Sequence, residues 1–327
     1  MSTHRLKPGF IIILMAVLFT PHFMWGQTIN LKGYWRFHIG DEKSWSGVSF
    51  DDKNWEKIMV PSAWEDQGFS GYNGFAWYRT HFDGQKLNQE ESYVLRLGYI
   101  DDCDEVFLNG KLIGFSGTMP PKFKTAFNKE RVYHIPPDAL NLKGSNTLAI
   151  RVFDVVLAGG IVDGDPGIYR SADEGLLVDL QGLWSFSTCG KETPVTKINE
   201  WEVINVPAPW EEHEMRHYDG EAWYKKSFRV PASLKDENLV LLVGRIDDFD
   251  RTYLNGKLIG QTRDGMPYGK SRSFQELRVY EIPKGLLRKN DLNIIEIWVE
   301  DMGNVGGIYE GPVGIATKTA ARRFTER

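Results

Sequence analysis

Three sets of residues in this sequence have types and spacings that suit chemistry. His213-Glu214-Met215-Arg216-His217 fits the pattern H-E-x-x-H. On a helix, two histidines four apart share one face and can hold zinc, while the glutamate activates the metal-bound water. Carboxylates recur as Ile100-Asp101-Asp102-Cys103-Asp104 and Ile246-Asp247-Asp248-Phe249-Asp250, with Asp154 and Asp301 further along each half. Glycoside hydrolysis uses two such groups about 5–10 Å apart. Aromatic residues adjoin acids at Trp64-Glu65 and Trp210-Glu211, beside Tyr72 and Tyr218. A Trp or Tyr ring can stack on the apolar C–H face of a sugar whose hydroxyls bond acids and amides at the rim. The sequence has no Gly-x-Ser-x-Gly nucleophile elbow.

The elements that must position these residues form one unit written twice. Residues 100–114 and 246–260 are identical at 11 of 15 positions, each ending in Leu-Asn-Gly-Lys-Leu-Ile-Gly. The correspondence extends to Ala76-Trp77-Tyr78-Arg79 with Ala222-Trp223-Tyr224-Lys225, and to Gly159-Gly160-Ile161 with Gly306-Gly307-Ile308. A repeat of about 147 residues is a domain rather than a solenoid turn. Short apolar runs such as Tyr93–Gly98 and Asn238–Val243 read as strands, as do the partly alternating Thr147–Phe153 and Ile294–Glu300. Asn109-Gly110 and Asn255-Gly256, flanked by apolar residues, predict tight hairpin turns. No four-turn amphipathic helix is apparent. The expected fold is all-β, two tandem jelly-roll β-sandwiches. Their expected bounds are 27–170 and 171–320, with residues 321–327 as a C-terminal tail.

The repeat also weighs the candidates. The stretch holding H-E-x-x-H is filled in the first unit by Glu65-Asp66-Gln67-Gly68-Phe69-Ser70-Gly71, which is a loop, so a catalytic zinc site is not expected. Lys143-Gly144-Ser145-Asn146 is answered by Asn290-Asp291-Leu292-Asn293 and reads as a turn rather than a nucleophile site. The aspartates are expected to accept backbone N–H bonds at strand ends. Structural calcium on Asp102, Asp104, Asp248 and Asp250, and direct sugar contact, are the alternatives. Trp64 and Trp210 fit either the core or a ligand-facing rim. The unit-specific loops Met119-Pro120-Pro121-Lys122-Phe123 and Met266-Pro267-Tyr268-Gly269-Lys270 each offer an aromatic near a lysine. Cys103 and Cys189 lack counterparts in the other unit and read as unpaired.

The order Ala-Trp-Tyr-Arg, Asp-Asp-x-Asp, Leu-Asn-Gly-Lys-x-x-Gly, Gly-Gly-Ile resembles the sugar-binding jelly roll of glycoside hydrolase family 2, of the β-galactosidase and β-glucuronidase type. It is also similar to the accessory jelly roll of sialate O-acetylesterases. The resemblance covers about residues 31–168 and again 180–315 and implies a galactose-binding-domain-like sandwich. In those families catalysis belongs to separate barrel or hydrolase domains, neither of which is expected among the dozen residues after Ile315.

Forty-four acidic against 39 basic residues give a net charge of −5, which argues against binding nucleic acid. Arg5 and Lys7 precede the apolar run Phe10–Phe19, ten residues or about 15 Å of helix, against a bilayer core of roughly 30 Å. Residues 1–26 therefore read as a secretory signal cleaved near Gly26, leaving a secreted or periplasmic chain without a membrane span. The expected function is non-catalytic carbohydrate binding in the service of glycan degradation. The expected sugar contacts are Trp64, Glu65, Tyr72, Phe123, Trp210, Glu211, Tyr218 and Tyr268, with no cofactor beyond possible structural calcium. The alternatives are an accessory or truncated relative of either enzyme family, active with a partner glycoside hydrolase or esterase chain, and a protein-interaction scaffold.

Overall fold

A computed structural model of the chain describes residues 26–173, 175–189, 193–213, 215, 218–264 and 272–326. Residues 1–25, where a secretory signal is expected, most of the H-E-x-x-H stretch and Tyr268 lie outside them. The described residues are predominantly strand, and all the paired strands are antiparallel.

In the first unit one sheet orders Glu56–Val60, Gly33–Ile39, Gly74–Asp83, Ser145–Asp154, Cys103–Leu108 and Lys111–Ser116. It faces a second sheet of Gln27–Asn30, Gly167–Arg170, Tyr93–Asp101 and Gly160–Asp163, with Glu130–Ile135 also paired to Tyr93–Asp101. The second unit repeats the six-stranded layer with Glu202–Val206, Gly182–Ser187, Gly220–Phe228, Asn293–Asp301, Phe249–Leu254 and Lys257–Thr262. Its facing layer is Leu176–Asp179, Gly307–Thr317, Leu239–Asp247 and Leu277–Glu281.

Each unit buries its own core. In the first, Trp35, Phe37, Trp64, Tyr78, Leu95 and Ile150 pack together; in the second, Trp184, Phe186, Trp210, Tyr224, Leu241 and Ile297 do the same. Alternation along the strand sends Tyr78 inward, while Trp77 goes to the outer face, where Trp45, Phe50 and Trp55 cover it. The hairpin turns form as expected: Asn109 and Gly110 have φ of 52° and 80°, and Asn255 and Gly256 have 50° and 79°. Both residues of such a turn need positive φ, which Asn and Gly tolerate. Asn109 also donates to Ala139 O at 2.8 Å and Asn146 Oδ1 at 2.7 Å, tying the turn to the start of a central strand.

The expected C-terminal tail is instead structured. Lys318–Thr325 is a helix capped by Thr317, and it buries Ala321 and Phe324 against Val240 and Leu242. Among the described residues several polar contacts join the units, an ion pair between Lys129 and Glu212 among them. Lys124 Nζ donates to the carbonyls of Glu211 at 2.7 Å and His213 at 2.8 Å. Asn205 Nδ2 donates to Phe115 O at 2.9 Å, and His134 meets Asp179 at 3.1 Å.

Candidate functional site

The two units bring carboxylates together at the same place. Asp101 ends one strand of the smaller sheet, and Asp102 is the single residue before Cys103–Leu108 opens in the other sheet. Asp154 ends Ser145–Asp154 beside this crossing, where Asp102 N–H donates to Phe153 O at 3.1 Å. One carboxylate oxygen each from Asp101, Asp102 and Asp154 lie within 4.8 Å of one another, and Asp247, Asp248 and Asp301 repeat the arrangement. The Asp101–Asp102 and Asp247–Asp248 peptide bonds are both cis.

The members differ in how well they are hydrogen-bonded. Asp102 Oδ2 accepts Val155 N–H at 3.0 Å, and Asp248 Oδ2 accepts Met302 N–H at 3.0 Å. Asp154 is fully buried, yet neither of its oxygens has a hydrogen-bond partner; Asp301 Oδ2 is likewise bare. Glu65 and Glu211 turn one oxygen to the backbone N–H of Gly159 (2.9 Å) and Gly306 (3.2 Å) and leave the other buried without a partner. Burial and the neighbouring acids push Asp101 up to about 6 and Asp154 up to about 7. In the second unit Asp247 is pushed up to about 8 and Asp301 to about 6. Ionised carboxylates this close repel, so Asp101, Asp154, Asp247 and Asp301 hold their protons to a higher pH than a solvated acid.

In the second unit the acids open onto a cleft of about 470 Å³ lined by Asp247, Asp248, Phe274, Met302, Asn304 and Tyr309. Tyr309 donates its hydroxyl to Phe274 O at 2.7 Å, which fixes the two aromatic residues as one wall. The positions of the first unit equivalent to Phe274, Met302, Gly303 and Asn304 are Phe127, Val155, Val156 and Leu157, all exposed.

Several expected site residues are placed elsewhere. Trp64 and Trp210 are 0% exposed and cannot stack on a ligand. Each indole lies against a glycine backbone: a Cβ on Gly159 would stand 2.1 Å from Trp64, and one on Gly306 would stand 2.3 Å from Trp210. The repeated Trp and Gly-Gly motifs are therefore two sides of one packing contact. Tyr72 and Tyr218 are half-buried and close their own loops by donating to Phe75 O (2.7 Å) and Glu221 O (2.8 Å). Phe123 remains exposed, edge-on to Phe153 at 5.6 Å.

Two of the calcium candidates are also corrected. Asp104 and Asp250 are buried ion-pair partners of Arg131 (2.7 Å) and Arg278 (3.0 Å) and also accept from Tyr133 and Tyr280. With their lone pairs engaged by cations and hydroxyls, they are core struts rather than open ligands. Asp154 and Asp301 take their place in the clusters. His213 is half-buried, edge-on to Phe115 at 5.7 Å. Burial beside Lys129 and Lys124 pushes its imidazole down to about 3. Cys103 and Cys189 are free, the first buried and the second half-buried. The wall of Phe274, Met302 and Tyr309 was not anticipated from the sequence; its one signal was Phe127 and Phe274 recurring at the repeat offset.

Residues 40–155 match the family described as the second all-β domain of β-galactosidase. A β-glucuronidase of Streptococcus agalactiae is 32% identical over 91 residues, covering 27% of this chain and 15% of that enzyme. The β-galactosidase BoGH2A of Bacteroides ovatus is 28% identical over 149 residues, covering 42% of this chain and 16% of the enzyme. Among solved structures, a Bacteroides uniformis β-glucuronidase aligns with a TM-score of 0.38 and 16% identity, over 83% of this chain and 27% of that one. The matched part thus spans about one sixth of the curated relatives. The chain resembles the accessory β-sandwich domains of family 2 glycoside hydrolases.

Proposed function

We propose that the chain is an exported, non-catalytic carbohydrate-binding tandem, with its principal site in the cleft of the second unit. One observation carries this reading: Phe274, Met302 and Tyr309 line a cleft of about 470 Å³ together with the carboxylates of Asp247 and Asp248. Such a volume is ordinary for a small-ligand site, and apolar side chains together with a few polar groups suit the two-sided chemistry of a sugar ring. The relatives, β-glucuronidase and β-galactosidase by name, support a glycan as the ligand class.

The carboxylate spacing supports the non-catalytic half of the reading. Retaining glycosidases hold their two carboxyls about 5–5.5 Å apart and inverting ones about 6.5–9.5 Å. One oxygen from each of the three aspartates of a unit lies within 4.8 Å of the others, a single cluster rather than an acid and a nucleophile held apart. A partner hydrolase chain would then supply the chemistry, with this chain holding the substrate nearby.

The test combines a glycan-array screen of the purified chain with assays on chromogenic glycosides and acetyl esters. The reading expects array hits without turnover. Turnover that survives repurification would replace it with the enzyme reading.

A further inference from the structure

Each unit concentrates acid without a counter-charge. In the first, Asp101, Asp102 and Asp154 crowd within 4.8 Å, and Glu65 lies close enough to act on the charge of Asp101 and Asp154. Among the described residues none of these four forms an ion pair, and Arg131, the cation that acts on Asp101, is already engaged by Asp104. A second observation is independent of the crowding. Asp154 is 0% exposed and carries two oxygens with no hydrogen-bond partner, and Glu65 Oε1 is buried in the same condition. An unpartnered buried carboxylate costs free energy that protein groups normally remove. The second unit repeats the pattern: Asp301 is 2% exposed with Oδ2 bare, and Glu211 Oε1 is bare beside it.

We propose that each unit binds one Ca²⁺ ion, held by Asp101, Asp102 and Asp154 in the first and by Asp247, Asp248 and Asp301 in the second. The donor set is oxygen only, which selects a hard cation. The number of protein carboxylates selects the larger one: Ca²⁺ takes about 6–8 oxygens in flexible geometry, whereas Mg²⁺ keeps several waters and uses one or two carboxylates. Asp154 and Glu65, or Asp301 and Glu211, offer the oxygens left over by the backbone. Asp102 and Asp248 are held in place by Val155 and Met302 N–H, as an outer shell holds a ligand. The inference does not rest on sugar binding, and its readout needs no glycan.

The test is calorimetric titration of the chelator-treated full chain with CaCl₂ and, separately, MgCl₂ and NaCl at neutral pH, together with thermal melts. The expected result is two Ca²⁺ per chain, binding about tenfold or more tighter than Mg²⁺, and a higher melting midpoint with Ca²⁺. Asp154→Asn and Asp301→Asn should each reduce the count to one, and the double variant to none. In chelator the single variants should melt at or above the parent, because each removes a repelling charge and keeps the shape. Should Asp154→Asn fail to fold, Asp101→Asn on the more accessible ligand removes the same charge. Absence of Ca²⁺ heat and of any melting shift in the parent would overturn the proposal and leave a shared proton as the neutralising agent. A response to Na⁺ alone, or two ions retained by the double variant, would overturn it equally.

Discussion

Around its acidic centre the first unit exposes Val155, Val156 and Leu157, while the second places Met302, Gly303 and Asn304 at the same positions beside Tyr309. The acids beneath are the same, as are the Trp–Gly-Gly contact and the buried Asp–Arg pair. What the two units share is what the sandwich and the carboxylate cluster require. What differs is the rim, where the proposed ligand would be chosen. Leu157 shows how far the first unit has moved: it is 80% exposed with φ of 72°, a backbone region that disfavours branched side chains. Its counterpart Asn304 has φ of 78°, which Asn tolerates.

The shared part breaks hardest. Trp64→Ala and Trp210→Ala should each cost about 3–5 kcal/mol, the usual loss for a large buried aromatic, measured by urea unfolding. A loss under about 1 kcal/mol at either position would mean that the two cores are not equivalent.

The next effect belongs to the second unit alone and depends on pH. His213 sits at the contact between units with its imidazole pushed down to about 3, while the unfolded chain titrates it near 6.5. Between those values the unfolded state binds the extra proton. Stability therefore falls as the pH drops through this window, by about 1.4 kcal/mol per pH unit. The raised aspartates act in the opposite direction, since their folded forms bind protons more tightly than the unfolded chain does. The comparison with His213→Gln isolates the histidine. From pH 7 to 5 the parent should lose about 2 kcal/mol relative to the variant, and parallel curves would remove His213 from the account.

The smallest stability change sharpens the rim comparison. Leu157→Asn, which copies the second unit, should stabilise the chain by about 0.5–1 kcal/mol by relieving the left-handed backbone. A loss instead would show that Leu157 makes a contact worth more than its strain.

The sandwich was legible because its signals are local or repeated. Asn-Gly turns, apolar runs of strand length and the 147-residue period each need only neighbouring residues or self-comparison. The site was not, because its geometry joins distant segments. Asp101 and Asp154 stand 53 residues apart and meet only because the chain changes sheets beside the end of a central strand. Asp104, three positions from Asp101, points into the core toward Arg131 instead. Alternation along a strand separates such neighbours, but an Asp-Asp-x-Asp string does not say which way each side chain turns. Trp64 misleads for a related reason. It stands three residues after Pro61 in a loop-rich stretch, and only the missing Cβ of Gly159, 95 residues on, lets its indole into the core. The terminal helix was hidden by its length, eight residues with two buried side chains.

The most direct test of the central claim is a glycan array probed in parallel with the parent, Tyr309→Ala and Phe127→Ala. If the cleft of the second unit is the sugar site, Tyr309→Ala weakens the hits by about threefold to tenfold, the value of one aromatic stack, and Phe127→Ala leaves them unchanged. Hits that survive Tyr309→Ala at full strength, or a broad array with none for the parent, would contradict it.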